Sequence, residues 1–285
     1  MRRLPLRPAL ALAIALVAIV ASVVAALAAV GPSSDASPAT SGAYTSQPAA
    51  VPSPPAAAAL RCATPRHPTP VVLVPGTFDA TSWGAIGDGL AARGYCVETF
   101  QYSDAGIGSI ARSARQLSRF VDGVLARTRA ARVSIVGHSE GGVAARYYVR
   151  FLGGAGKVED LVALAPPNHG TTTPLVIPGG LLGCVACVQQ AVGSNFLATL
   201  NTGDGTPPPV DYTVVETRYD LVVTPYQSAF LHGPANRITN VVLQNSCPGD
   251  LAGHLSITSD PAAVQWVADA LARSGPADPA FRPRC

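Results

Sequence analysis

Residues 137–141 read Gly-His-Ser-Glu-Gly, a GxSxG pentapeptide set between the apolar run RVSIV at 132–136 and a stretch of helical character at 140–152. That setting gives the pentapeptide chemical meaning. A strand that turns sharply into a helix needs small residues around the turn, and it lifts Ser139, at the apex, above the sheet edge. A serine hydroxyl is a poor nucleophile until an imidazole takes its proton, and the imidazole needs an acid to fix its tautomer. The rest of the chain must supply both.

Of the five histidines, His67 precedes the first predicted strand, His138 stands beside the serine, and His169 comes before any acid-bearing strand. In Asn168-His169-Gly170-Thr171 the last of these shapes a loop. The order expected for such a nucleophile is serine, acid, histidine, which points to His254, in a loop after the last predicted strand, with His232 as the alternative. For the acid, Asp220 follows the strand DYTVVET on the same edge as Ser139 and His254. Asp211 is at that strand's opposite end, Asp204 lies in a long insertion, Asp250 is only four residues from His254, and Glu216 still belongs to the strand. Attack on a carbonyl also needs two backbone N–H groups aimed where the oxygen becomes an anion, each worth about 3 to 4 kcal/mol of barrier. Glu140, directly after the nucleophile, supplies one. Thr77, in Val-Pro-Gly-Thr-Phe after the first strand, supplies the other, and its hydroxyl is a further candidate donor to the same oxygen.

The elements that must hold these groups alternate. Strands are predicted at 70–74, 95–102, 132–136, 159–165, 211–217 and 238–245. Helices are predicted from Trp83 to Arg93, over the stripe Ile110, Ala114, Leu117, Val121 and Val124, at 140–152, and from Pro261 with Asp260 as its N-cap. Strand–helix alternation implies a mostly parallel sheet covered by helices on both faces. Between Gly170 and Pro209 a stretch of about forty residues lacks a strand pattern, and connections of that length usually carry function. We read residues 170–209 as a cap or lid insertion whose Leu175, Val176, Ile177, Leu181, Leu182, Val185 and Val188 present an apolar face; the plainer alternative is an insertion that merely packs on the sheet.

The 285 residues include only 13% charged side chains, against roughly 25% in ordinary soluble domains, and 48% hydrophobic ones, which excludes disorder along the whole length. Net charge is +3, and setting aside the first sixty residues leaves 17 basic against 16 acidic groups, so nucleic acid is not a partner. Three arginines followed by an apolar run at 9–30 read as an export signal, residues 1–30, with a retained anchor on the outer face of the cytoplasmic membrane as the alternative. Residues 31–60, rich in Pro, Ala and Ser, form a linker, and the catalytic domain occupies 61–285. Six cysteines in an exported chain predict three disulfides, Cys62–Cys96, Cys184–Cys187 and Cys247–Cys285.

The segments VPGTFDATSW, GHSEGG, PPNHGTT, CVACVQQAVGSNFLATLN, TRYDLVVTPY and GHLSI together resemble the secreted bacterial class 2 lipases of the α/β-hydrolase superfamily, from about Arg61 to Cys285. Many lipases carry His-Gly where this chain has Pro75-Gly76, and Gln or Met where it has Glu140. The resemblance implies an α/β-hydrolase fold and a secreted, monomeric serine lipase that acts on acylglycerols or other carboxylic esters at a lipid–water interface. It implies no organic cofactor, and no ligand spacing for a metal is visible. A carboxylesterase or polyester hydrolase on short or polymeric esters is the second expectation. An inactive binding module is disfavoured, because serine, acid and histidine are all present.

Overall fold

A computed structural model of the chain describes residues 67–173 and 183–285. The expected signal or anchor, the linker and the apolar stretch 175–182 lie outside the described residues, as does Cys62 and with it the Cys62–Cys96 pairing. Six strands, β1 (Val71–Val74), β2 (Val97–Thr99), β3 (Val133–His138), β4 (Val158–Leu164), β5 (Asp211–Glu216) and β6 (Ile238–Val242), form one sheet in the order β2-β1-β3-β4-β5-β6. Every pairing is parallel.

The apolar runs are continuous because both faces of the sheet are covered. Val72 and Val74 point into one core with Ile135, Leu161, Tyr212 and the stripe Ala114, Leu117, Val121 and Val124 of helix α2 (Ile110–Thr128). Val71 and Leu73, their alternates on the strand, point into a second core with Ile86 and Leu90 of α1 (Gly84–Ala91) and Trp266 and Val267 of the C-terminal helix (Pro261–Leu271). Asp260 caps that last helix, its Oδ1 accepting from the N–H of Ala263 at 2.8 Å.

Two predicted strands end early. β2 is an edge strand whose only neighbour among the described residues is the four-residue β1, so pairing stops after Leu73↔Thr99. β6 stops where β5 does, at the pair Glu216↔Val242, and Leu243–Ser246 turns into a short helix.

Helix α3 (Glu140–Phe151) leaves β3 and packs beside α2. The insertion supplies helices α4 (Val185–Gln189) and α5 (Asn195–Asn201), which bury Ala186, Leu197 and Leu200 against Val143, Ala144 and Ile110. Gln189 Oε1 accepts from the N–H of Ile110 at 2.7 Å, where Ser109 provides no side-chain cap to α2. Arg146 on α3 is fully buried and donates to Asn168 Oδ1 (3.1 Å), Asn201 Oδ1 (3.0 Å) and the carbonyl of Gly205 (3.1 Å), so the rear of the insertion is fastened through a charged group with neutral partners. Among the described residues no helix is long and apolar enough to cross a membrane.

The chain order reverses direction between β1 and β3, so the loops leaving the carboxyl ends of these neighbours diverge and open a crevice. Thr77 and Ser139 lie on those two loops.

Two expectations about stability follow. A Cys247–Cys285 bridge closes a loop of sequence separation 38, for which loop-closure entropy gives about 4 kcal/mol at 25 °C; the Cys247→Ser, Cys285→Ser double variant should lose stability on that scale in urea denaturation. Burial holds the carboxyl groups of Asp160 up at about 7, Glu140 up at about 8 and Glu216 well above the ordinary range. The folded chain therefore keeps protons that the unfolded chain loses near pH 4 to 5, and stability should fall as pH rises from 6.5 to 8.5. Below pH 6.5 the buried His138, held down at about 3, works in the opposite sense, which is why the denaturation midpoint should be compared only above that value.

Candidate active site

Ser139 is the single residue between β3 and α3, and its backbone (φ 52°, ψ −123°) lies where L-residues are strained. Packing around it explains the glycines. A Cβ on Gly137 would come within 2.6 Å of the amide nitrogen of Gly142, and one on Gly141 within 2.2 Å of the carbonyl oxygen of Val74. A Cβ on Gly142 would stand 3.0 Å from those of Ala163 and Pro166. The Ser139 N–H donates to the carbonyl of Leu164 at 2.9 Å, so the sheet register carries through to the apex.

The structure brings Ser139, His254 and Asp220 together. His254 Nε2 is 3.1 Å from Ser139 Oγ, and His254 Nδ1 is 2.7 Å from Asp220 Oδ2. A carboxylate only accepts, so Nδ1 carries the hydrogen and the Nε2 lone pair faces the serine hydroxyl. Asp220 Oδ1 accepts from the N–H groups of Val222 and Val223, both at 2.7 Å, which fixes the carboxylate in its turn after β5. His254 and Asp220 are both buried.

None of the other candidates hydrogen-bonds the His254 ring, whose nitrogens face Asp220 and Ser139. His169 and His232 have ring centroids 5.8 Å apart. Asp204 accepts from the N–H of Thr206 and Asp250 from that of Ala252, each within its own loop. Asp211 begins β5, whereas Glu216 ends it, buried beside Asp220, where desolvation and then the Asp220 charge push its carboxyl well above the ordinary range.

A polar relay not visible in the sequence ties three loops together. The Gly76 N–H donates to Thr81 Oγ1 (2.9 Å), Thr81 Oγ1 lies 2.8 Å from His138 Nδ1, and His138 Nε2 lies 2.8 Å from the carbonyl oxygen of His254. Since that carbonyl only accepts, Nε2 of His138 carries the hydrogen and Nδ1 accepts from Thr81. Burial, and then the nearby His254, hold His138 neutral. His138, the motif neighbour of Ser139, thus steadies the backbone of His254.

Thr77 and Glu140 flank the serine. Glu140 opens α3, where the first N–H groups have no intrahelical acceptor and the helix end favours negative charge. Gly76 lies against the apex: a Cβ there would be 3.0 Å from that of Ser139. The Thr77 hydroxyl makes a 2.7 Å hydrogen bond with Glu140 Oε2 and accepts from Gln190 Nε2 at 3.1 Å. Cys184, the N-cap of α4, is bonded to Cys187 within that helix, and Cys247 is bonded to Cys285. Among the described residues no group of three or more His, Cys, Asp or Glu is placed to hold a metal ion.

Solved structures share this arrangement of sheet and helices. Lipase B of Aspergillus fumigatus superposes with a TM-score of 0.65 at 24% identity, covering 74% of this chain and 54% of that one. This chain therefore spans little more than half of that protein's length. The Bacillus licheniformis lipase BlEst2 in its propeptide form gives 0.57 at 15% identity, over 78% of this chain and 54% of that one; its mature form gives 0.51 at 14% identity, over 63% and 85%. At these identities the likeness speaks for the α/β-hydrolase fold. The family model described as "Lipase (class 2)" matches residues 68–267, from before β1 into the last helix and across Ser139, Asp220 and His254. With that match over most of its length, and with a parallel sheet carrying a serine at the strand–helix turn, the chain belongs to the class 2 lipase family of the α/β-hydrolase superfamily.

Proposed function

We propose that the protein is a serine lipase that cleaves acylglycerol ester bonds through an acyl-enzyme. The observation that carries this reading is one imidazole bridging Ser139 Oγ at 3.1 Å and Asp220 Oδ2 at 2.7 Å. His254 Nε2 takes the Ser139 proton as Oγ attacks the acyl carbon, and the N–H groups of Thr77 and Glu140 receive the oxyanion. The protonated imidazole then gives its proton to the departing alcohol, and water repeats the sequence to release the acid. No organic cofactor enters these steps.

The choice of lipid rests on what surrounds the triad. Phe78, Leu221 and Leu255, each the chain neighbour of a proposed site residue, are 60%, 72% and 62% exposed, and Leu251 in the His254 loop is 76% exposed. Val185, Val188 and Val192 of the insertion are about half exposed. Large apolar side chains from four separate segments at one sheet edge suit contact with an apolar substrate phase. An esterase for short soluble esters has no use for such a rim, whereas a polyester surface would use it equally. Two disulfides fit an oxidising compartment, and we take residues 61–285 as the exported catalytic domain.

Hydrolysis of p-nitrophenyl esters from two to eighteen carbons tests the substrate class, with long chains expected to be preferred. Ser139→Ala should abolish turnover, while His254→Ala and Asp220→Asn each lose several orders of magnitude. Their double variant should be little worse than His254→Ala, because the triad acts as a unit; additive losses would assign a different acid or base. His138→Phe should lower kcat on the order of 100-fold with KM for a short ester little changed, since a base displaced by about 1 Å costs that much. His138→Gln, which keeps a donor for the His254 carbonyl, should recover part of the loss.

A further inference from the structure

Glu140 has a side chain that the reaction above does not use. It is fully buried, one residue from the nucleophile, and its Oε2 lies 2.7 Å from Thr77 Oγ1. Ser113 Oγ, on α2, is the next polar neighbour, at 3.4 Å from Oε1. Gln190 Nε2 donates to Thr77 Oγ1 at 3.1 Å.

A hydroxyl has one hydrogen and two lone pairs, so the state of Glu140 decides where the Thr77 hydrogen goes. Gln190 occupies one lone pair. If Glu140 is ionised, the carboxylate takes the hydrogen. If Glu140 is protonated, its acidic hydrogen belongs on Oε2, which has the shorter contact, and fills the second lone pair. The Thr77 hydrogen is then released from Glu140.

Resting on the oxyanion site proposed above, we propose that Glu140 is a positioning residue: as the neutral acid it donates to Thr77 Oγ1 and turns that hydroxyl toward the developing oxyanion, and as the carboxylate it withholds it. The surroundings favour the acid. Burial is the largest influence on Glu140; the Thr77 and Ser113 hydroxyls work against it by bonding the carboxylate, Asp104 from the loop after β2 and Asp79 from the β1 loop add to it, and together they leave Glu140 pushed up to about 8. Tyr102, in the segment after β2, donates its hydroxyl to the carbonyl of Pro75. Arg112 on α2 is turned to Asp104, 3.7 Å away, and His138 is neutral and bonded to Thr81 and His254. Among the described residues no cation is paired with Glu140.

The test is kcat for p-nitrophenyl butyrate between pH 6 and 10, with circular dichroism at each pH and recovery on return to pH 7. Wild-type kcat should fall about tenfold per pH unit above the Glu140 titration at about 8. Glu140→Gln, whose amide donates to Thr77 at every pH, should lose this alkaline limb. Thr77→Val should start about 100-fold lower and show no limb either. A limb that persists in Glu140→Gln overturns the proposal; one that persists only in Thr77→Val shows that the charge acts without Thr77, and also overturns it. An infrared difference spectrum between wild type and Glu140→Gln should show a protonated carboxyl at pH 6.5 that disappears by pH 9.5, and its absence at pH 6.5 overturns the proposal without any need for turnover. Wild type as inactive as Ser139→Ala on every ester would instead sink the hydrolase reading on which this rests.

Discussion

The contact between Gly141 and the end of β1 is the constraint on which the site depends. A methyl group there would meet the carbonyl oxygens of Val74 and Pro75 at 2.2 and 2.6 Å, so nothing but hydrogen fits. That closeness lets α3 start directly beneath the β1 loop, which in turn holds Ser139 in a backbone conformation costing of order 1 to 3 kcal/mol. It also brings the Thr77 loop within hydrogen-bond reach of the first residue of α3. The exposed turn at Ser139, its strain and the placement of both proposed oxyanion donors are consequences of one backbone-to-helix approach.

Around that approach the molecule arranges groups that are polar and largely uncharged. His138 is kept neutral, and burial holds Glu140 and Glu216 toward their protonated forms. A net charge buried at any of these places would cost several kcal/mol and would compete with the oxyanion for the same donors. Neutral groups instead transmit orientation through hydrogen bonds: Gly76 to Thr81, Thr81 to His138, His138 to the His254 backbone. Such a network gives directionality without field, and leaves the strong electrostatics to Asp220 and the helix end.

The parts legible in the sequence are those with a local physical cause. Val71 to Val74 and Val133 to Val136 read as buried strands because both faces of a parallel sheet are covered, and the Ile110 to Val124 stripe reads as a helix because its period is 3.6. Ser139 was legible because the turn needs glycine on both sides of it. Strand ends were not, since β2 and β6 stop where their partners stop. The His138 relay spans 57 residues to Thr81 and 116 to His254, and separations like these leave no periodic trace. For the same reason the partners of the Thr77 hydroxyl, Glu140 and Gln190, leave no local signal, since they arrive from 63 and 113 residues away.

Arg146 bears on how this family's insertion can be exchanged. Its guanidinium, still basic at about 10 although fully buried, donates through Nη1 and Nη2 to Asn168, Asn201 and the Gly205 carbonyl. Asn201 also donates to the Asn168 backbone, and Asn168 to the carbonyl of Ala229, so the ligands of the cation are themselves cross-braced. The segment from Asn195 to Gly205 is thus part of an ion's solvation shell before it is part of any substrate boundary. A loop grafted here from another hydrolase would have to bring oxygen atoms to the two positions held by Asn201 Oδ1 and the Gly205 carbonyl, or replace Arg146 at the same time. Recombination at this point is therefore a matter of buried charge, and its natural crossover lies between Gly170 and Ser194, after Asn168 and before the two ligands that the insertion supplies.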